Sequence, residues 1–300
     1  MTFCKLRTLA RRTAQQAGQT AIAASLALGV GGFAAVCMPH TAAAEAYKDF
    51  VLPKLNGKDT SFERVKKDGL TVATGNDWPF SFVDDKTGEW KGIDADIINY
   101  ATKMLGIEKI KLETVGWDGL VPGVASGRFD MIGDSINYTA ERAKVVSFSF
   151  PTYYYAETLV VAQGNPLKLH SIDDLKGHTV GTLLGSNYAE HLKDIPGITV
   201  QTYQDWQQLL PQLAIGRIDA AMYDQPVMAA TLGDHPEMKL EMVEDYQPAA
   251  EKNPTNYSRY VFRQGDVALM SAFDTAIQWM EYNGKMQEIL KKWNMTAYNN

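Results

Sequence analysis

The chain has 300 residues, 45% of them hydrophobic and 21% charged, with a net charge of −6. This is an ordinary soluble composition, with enough apolar side chains for one or two cores. The acidic balance argues against nucleic acid as a partner.

The first 46 residues read as a leader. Lys5, Arg7, Arg11 and Arg12 make a basic start, Ala21 to Val36 an apolar run, and Ala42-Ala43-Ala44-Glu45-Ala46 a small-residue stretch. Basic, apolar, small is the order of a secretory signal peptide, with cleavage expected after Ala44 or Ala46. The run is short for a membrane span of about 20 residues. Val36 is a poor residue to precede lipid attachment at Cys37, and Arg11-Arg12 leaves twin-arginine export open. Losing four basic residues and one acid, a net of +3, takes the charge from −6 to −9. The leader also holds both cysteines, Cys4 and Cys37, so the exported chain must draw its stability from its cores. About 255 residues remain, which suits two lobes of usual size. No later apolar run is long enough to span a bilayer.

After a polar stretch, Leu70–Thr74 reads as a buried strand and Gly75–Pro79 as a loop rich in turn residues. Thr87-Gly88-Glu89 is a turn. Ile93 to Leu105 places apolar residues at helical spacing and stops at Gly106. Lys109–Thr114 is a strand, Trp117 to Ala125 a helix closed by Gly127, and Met131-Ile132 a third strand. The order β-α-β-α-β predicts a parallel sheet with helices on its faces. The pattern then repeats. Leu159–Ala162 is a strand, and Ser171–Leu175 starts a short helix capped by Ser171. Thr179–Leu183 is a strand, and Gly185-Ser186-Asn187 opens a helix to about Leu192. Thr199–Thr202 is a strand, Trp206 to Ile215 a helix, Ala220–Tyr223 a strand and Met242–Tyr246 another. Val261-Phe262 is followed by a long amphipathic helix from Val267 to Tyr282, then Gly284 and a last helix to Trp293. Two α/β units in series predict a two-lobed protein. Ligands of open parallel sheets sit at the carboxyl ends of strands, so the loops after Val72, Ile132, Val180 and Met222 are where a site is expected.

Those loops carry a set of strings: Trp78-Pro-Phe80, Gly92-Ile-Asp-Ala-Asp96, Trp117-Asp-Gly-Leu-Val-Pro122, Gly127-Arg-Phe-Asp130, Thr139-Ala-Glu-Arg-Ala143, Phe148-Ser-Phe-Pro151, Asp174-Leu-Lys-Gly177, Val180-Gly-Thr-Leu-Leu-Gly-Ser186, Gly216-Arg-Ile-Asp-Ala-Ala221 with Asp224, and Gly284 with Lys292-Trp293. Each alone is weak. In this order, from Gly69 to Trp293, they resemble the periplasmic amino-acid-binding proteins of ABC importers. That group includes the histidine, lysine/arginine/ornithine and glutamine receptors. The resemblance implies an α/β, two-lobed periplasmic-binding-protein type II fold with two hinge strands, near Glu157–Val160 and Tyr257–Val261. It implies a signal peptide over 1–46, a first lobe of 47–157 with 258–300, and a second lobe of 158–257. It further implies a periplasmic monomer without cofactor, with a free amino acid as ligand and a membrane permease as partner.

An α-amino acid presents a carboxylate and an ammonium, so a receptor needs a cation and an anion at fixed separation. Arg142 matches the family's carboxylate-binding arginine, and a guanidinium can grip a carboxylate bidentately. Asp224, after the strand Ala220–Tyr223, suits the ammonium. By family position Asn137 adds a side-chain donor to the carboxylate and Ser135 a backbone contact. Gly185 and Ser186 open a helix whose free amides suit an anion. Trp78 and Trp117 match aromatic walls around the ligand side chain. Asp134, where the family often has Ser, Ala or Gly, together with Asp77, would favour a polar or basic ligand. Alternatively Asp134 points outwards or holds Arg142 in place. No metal-ligand spacing, phosphate loop or nucleophile arrangement is present. The competing readings are a dehydratase of the cyclohexadienyl or arogenate type on the same fold, with Asp134 or Glu157 as general acid, and a sensing module for a separate receptor.

Overall fold

A computed structural model describes residues 50, 52, 57–246 and 257–295. The predicted leader, its cleavage site and both cysteines lie outside these residues. The described chain forms two five-stranded sheets.

The first sheet contains β1 (Leu70–Thr74), β4 (Ile110–Thr114), β5 (Met131–Ile136), β6 (Val146–Phe148) and β12 (Arg259–Arg263), in the order β4-β1-β5-β12-β6. Strand β1 pairs in parallel with β4 and β5, whereas β12 runs antiparallel between β5 and β6. The second sheet contains β7 (Glu157–Ala162), β8 (Thr179–Leu183), β9 (Thr199–Tyr203), β10 (Ala220–Asp224) and β11 (Leu240–Met242), in the order β11-β7-β10-β8-β9. Here β7 is the reversed strand, antiparallel to both neighbours. In each sheet four strands run one way and one runs against them. The reversed strand is the one that follows a passage of the chain from one sheet to the other. A small hairpin of β2 (Phe82–Val83) and β3 (Trp90–Lys91) lies outside both sheets.

Helices cover the sheets because each has one apolar face. On the first sheet lie α1 (Ser61–Asp68), α2 (Ile93–Leu105), α3 (Trp117–Ala125), the short α4 (Ala140–Ala143), α8 (Val267–Tyr282) and α9 (Lys285–Lys292). On the second lie α5 (Asn187–Lys193), α6 (Trp206–Ala214) and α7 (Gln225–Asp234). Ile93, Ile97, Ile98 and Ala101 of α2 are fully enclosed with Leu269, Phe273 and Ala276 of α8 in one core. Burial of each such Ile, Leu or Phe contributes about 1.5–3 kcal/mol. Helix α2 stops at Gly106, at φ 68°, where the amide of Ile107 closes on the carbonyl of Thr102 at 2.9 Å. That is the left-handed stop that glycine allows at least cost.

The predicted bounds of β1, α2, α3, β8 and α8 coincide with the structure. Three expectations change. Ser171 does not cap a helix; the Asp174 carboxylate accepts from the amides of His170 and Ser171, and Asp173–Leu175 is a single 3-10 turn. The strand expected at Met242–Tyr246 is Leu240–Met242, and the chain turns away after it. The third strand, expected at Met131-Ile132, runs on to Ile136.

Candidate functional site

The carboxyl ends of β1, β5, β8 and β10 converge on one cleft, and the side chains there come from both lobes. A cavity of about 10 Å3 lies between them, lined by Asp77, Trp117, Tyr155, Leu183, Ser186, Asn187, Tyr188, Tyr223 and Asp224. Asp77 and Trp117 belong to the first lobe, and Leu183 to Tyr188 with Tyr223 and Asp224 to the second. Such a volume holds about one water molecule.

Arg142 reaches this cleft from α4. Thr139 caps that helix, its hydroxyl accepting from the Arg142 amide at 3.2 Å. The guanidinium is 6% exposed and donates to the carbonyl of Asn137 at 2.8 Å and, across the cleft, to the carbonyl of Gly185 at 2.9 Å. Burial lowers its pKa, and the nearby acids Glu190 and Asp224 oppose that shift. Glu141, the neighbour most able to neutralise it, is paired with Lys144 instead.

Asp224 ends β10 and precedes α7. Its side chain makes no capping bond to that helix; it accepts the hydroxyl of Tyr188. Burial pushes its carboxyl up to about 7, the Tyr188 hydrogen bond opposes this, and Asp77 and Glu157 add to it. Arg142 and Asp224 therefore feel each other's charge from opposite lobes without touching.

Gly185 sits at φ 77°, and a Cβ there would lie 3.1 Å from the Asp118 Cα of α3. The two lobes meet here backbone to backbone, which only glycine permits. Ser186 next to it is committed to the fold: its hydroxyl donates to the Leu183 carbonyl at 2.8 Å and accepts the Ala189 amide at 3.1 Å, capping α5.

Asp134 neither points outwards nor holds Arg142. It is fully buried, accepting from the Thr74 hydroxyl at 2.9 Å, the Gly75 amide at 2.8 Å and the Ser135 amide at 2.9 Å. Asp77 and Asp134 face the same side of Gly75. A Cβ on Gly75 would be 3.1 Å from an Asp77 oxygen and 3.5 Å from an Asp134 oxygen. Burial raises Asp77 to about 6. Burial, with the charges of Asp77 and Asp94, raises Asp134 well above the usual carboxylate range. Asp77 faces the cavity and Asp134 stands behind it.

Among the other expected residues, Trp117 lines the cavity, whereas Trp78 does not and is 45% exposed. The carbonyl of Ser135 is taken by the Tyr155 hydroxyl at 2.6 Å, and its own hydroxyl is buried without a partner. The side-chain oxygen of Asn137 is also buried without a partner. Tyr155, Tyr188 and Tyr223 also line the cavity; Tyr188 and Tyr223 lie in a helix and a strand, where an aromatic reads as core, and Tyr155 in the passage before β7. Tyr188 follows the Gly185-Ser186 helix start directly, which is the signal that could have found it.

The profile described as bacterial extracellular solute-binding proteins, family 3, matches residues 70–296. The L-cystine-binding protein TcyJ of Escherichia coli is 31% identical over 237 residues, covering 77% of this chain and 84% of that one. An ancestral arginine-binding protein bound to arginine superposes with a TM-score of 0.67 at 28% identity, covering 75% of this chain and 97% of that one. An ancestral amino acid-binding protein, a precursor of cyclohexadienyl dehydratase, gives 0.66 at 28% identity, covering 78% of this chain and 99% of that one.

Proposed function

Because the chain belongs to the bacterial extracellular solute-binding proteins of family 3, we propose that it captures a free amino acid between its lobes and delivers it to an ABC importer permease. The observation that carries this is the placement of Arg142 and Asp224 on opposite lobes of one buried cleft. A zwitterion fits that pair: its carboxylate takes the guanidinium in place of the Gly185 carbonyl, and its ammonium takes Asp224. A ligand that touches both lobes stabilises the closed state over the open one, as a population shift requires. Amino-acid-sized ligands need far more than 10 Å3, so the lobes must part to admit them.

In this reading residues 1–46 are the export signal, which places the protein in the periplasm as a monomer. The first lobe is 47–157 with 258–300 and the second is 158–257. The flexing stretches lie next to the strands Glu157–Ala162 and Arg259–Arg263, since those residues are already paired in the sheets. Asn137 keeps its side-chain amide for the ligand carboxylate, Ser135 has its backbone amide and carbonyl already engaged by Asp134 and Tyr155, and Trp117 supplies a flat wall. Among the described residues no cation is paired with Asp77, which is backed by Asp134, once Arg142 and Asp224 are matched. That favours a polar or basic ligand side chain. Asp77→Asn is expected to weaken a cationic amino acid about tenfold while changing a neutral one little, as loss of one charge-assisted hydrogen bond implies. Equal losses by calorimetry would remove Asp77 from selection.

The enzyme reading named Asp134 or Glu157 as its general acid. Asp134 and Glu157 do not line the cavity, and both are engaged in hydrogen bonds. The deciding experiment is a thermal-shift screen of unfolded and refolded protein against the free amino acids and prephenate. A ligand at one hundred times its dissociation constant adds about 2.7 kcal/mol, a clear rise in midpoint. A rise with an amino acid supports the receptor. A rise with prephenate alone, accompanied by turnover, replaces it with the dehydratase.

A further inference from the structure

The chain passes between the lobes twice, and each passage is bounded by tyrosines whose hydroxyls end on buried carboxyls. Asp94, in the first turn of α2, is fully buried. Its two oxygens accept the Tyr153 hydroxyl at 2.9 Å and the Tyr260 hydroxyl at 3.1 Å. Tyr153 lies on the outgoing passage, just before β7, and Tyr260 lies in β12, on the return. One carboxyl thus gathers both passages at their first-lobe end. At the second-lobe end Glu157, the first residue of β7, is 6% exposed and accepts the Tyr246 hydroxyl at 2.9 Å. Tyr246 is the last described residue of the second lobe before residue 257.

Between these ends the passages are laced to each other. The Thr152 amide donates to the Ser258 carbonyl at 2.9 Å, and the Ser258 amide to the Tyr153 carbonyl at 2.8 Å. Tyr154 and Tyr257 form an isolated bridge with their rings 5.5 Å apart. Asp94 is also tied to the binding loop. Its amide donates to the Phe80 carbonyl at 2.8 Å, an approach open only because Gly92 has no side chain; a Cβ there would lie 2.2 Å from that oxygen.

From this arrangement we infer that Asp94 and Glu157 are positioning residues for closure: two carboxyl–tyrosine clamps that hold the ends of both passages and confine bending to the residues between them. Neither residue lines the cavity. Their action on the ligand is indirect. Firm ends restrict the angles the lobes sample, and the apparent affinity scales with the fraction of time the lobes are closed. The clamps give that closure role its meaning only within the receptor reading, but their mechanical effect is measurable without any ligand.

The test is hydrogen exchange of the ligand-free protein, wild type against Tyr246→Phe and against Tyr153→Phe with Tyr260→Phe. Each change removes a hydroxyl and keeps the ring. Exchange at the amides of Thr152–Ala156 and Tyr257–Ser258 should rise about tenfold, the effect of releasing one hydrogen bond to a buried carboxyl, with the strands of both sheets unchanged. Apparent affinity for L-arginine, used as the probe, should fall by a similar factor. A rise spread through both sheets marks a merely structural role and overturns the inference, as does no rise at all. Should a Phe variant not fold, Asp94→Leu and Glu157→Leu remove the acceptor itself and are read the same way. If no amino acid shifts the thermal midpoint, the receptor reading fails while the exchange result still decides whether the clamps exist.

Discussion

Replacing Arg142 with alanine is expected to abolish amino-acid capture at ordinary concentrations while leaving the fold in place. Removing one partner of a buried, hydrogen-bonded charge pair costs about 2–5 kcal/mol, a loss of roughly thirtyfold to several thousandfold in affinity. The loss should apply to every α-amino acid, since each carries the same carboxylate. In the protein itself the change frees only the carbonyls of Asn137 and Gly185. The circular dichroism spectrum should therefore match wild type, and the ligand-free midpoint should shift little. Arg142→Lys keeps the charge but not the two-pronged geometry, so calorimetry should place it between wild type and alanine. Unchanged affinity in Arg142→Ala would take this residue out of the site.

The second large effect is a pair of opposite pH slopes. Burial raises Asp77 to about 6 and Asp94 and Asp224 to about 7, and lifts Asp134 well above the usual range. In the unfolded chain these groups ionise near 4. As pH rises from about 4 to 7 the unfolded state loses protons that the folded state keeps. The stabilisation is therefore complete below pH 4 and drains away as pH climbs through the folded-state values. Carboxyls shifted downward, such as Asp174 and Asp245, are exposed and weakly coupled through solvent. The ligand-free midpoint should consequently fall between pH 5 and pH 8. Ligand binding runs the other way. Asp224 must be ionised to hold an ammonium, so affinity should drop up to about tenfold per unit below pH 7. The groups that bear on this carboxyl are Tyr188, Asp77, Glu157 and Arg142, and Asp77 is raised into the same range. Midpoints at pH 5 and pH 8, each with and without saturating amino acid, give the answer. A ligand increment equal at both values would show that Asp224 is not the ammonium partner.

How far the sequence spoke depended on how strong each local pattern was. Helix α2 announced itself because Ile93, Ile97, Ile98, Ala101 and Leu105 keep one face apolar and Gly106 stops the turn. Helix α7 was missed for the opposite reason. Val227, Met228 and the alanines spread round its axis, and Pro226 reads as a loop. Helix α1 looked like a polar stretch, since only Phe62 and Val65 give it an apolar side. Strand β6 is three residues long and owes its existence to β12, which is remote in sequence. At the site, ordered strings made Arg142 and Asp224 candidates, and Asp77 entered only as a neighbour of Asp134. Trp78 misled because a tryptophan beside a proline can face either way, and only packing decides. The depth of Asp134 was equally hidden, because it depends on donors from Thr74 and Gly75 that only the folded sheet brings near.

The strand order of the two sheets carries a consequence for synthesis and export. The second sheet is built from residues 157–242, an unbroken stretch. The first cannot close until Arg259–Arg263 arrives, because β12 fills the gap between β5 and β6, and β6 has no other neighbour. A chain emerging from its amino end can thus complete its second half before its first. The early segments wait with apolar strand edges uncovered, the kind of non-local pairing that slows folding. A chain that stays unfinished until Arg259–Arg263 appears remains threadable for longer, which suits the export proposed above.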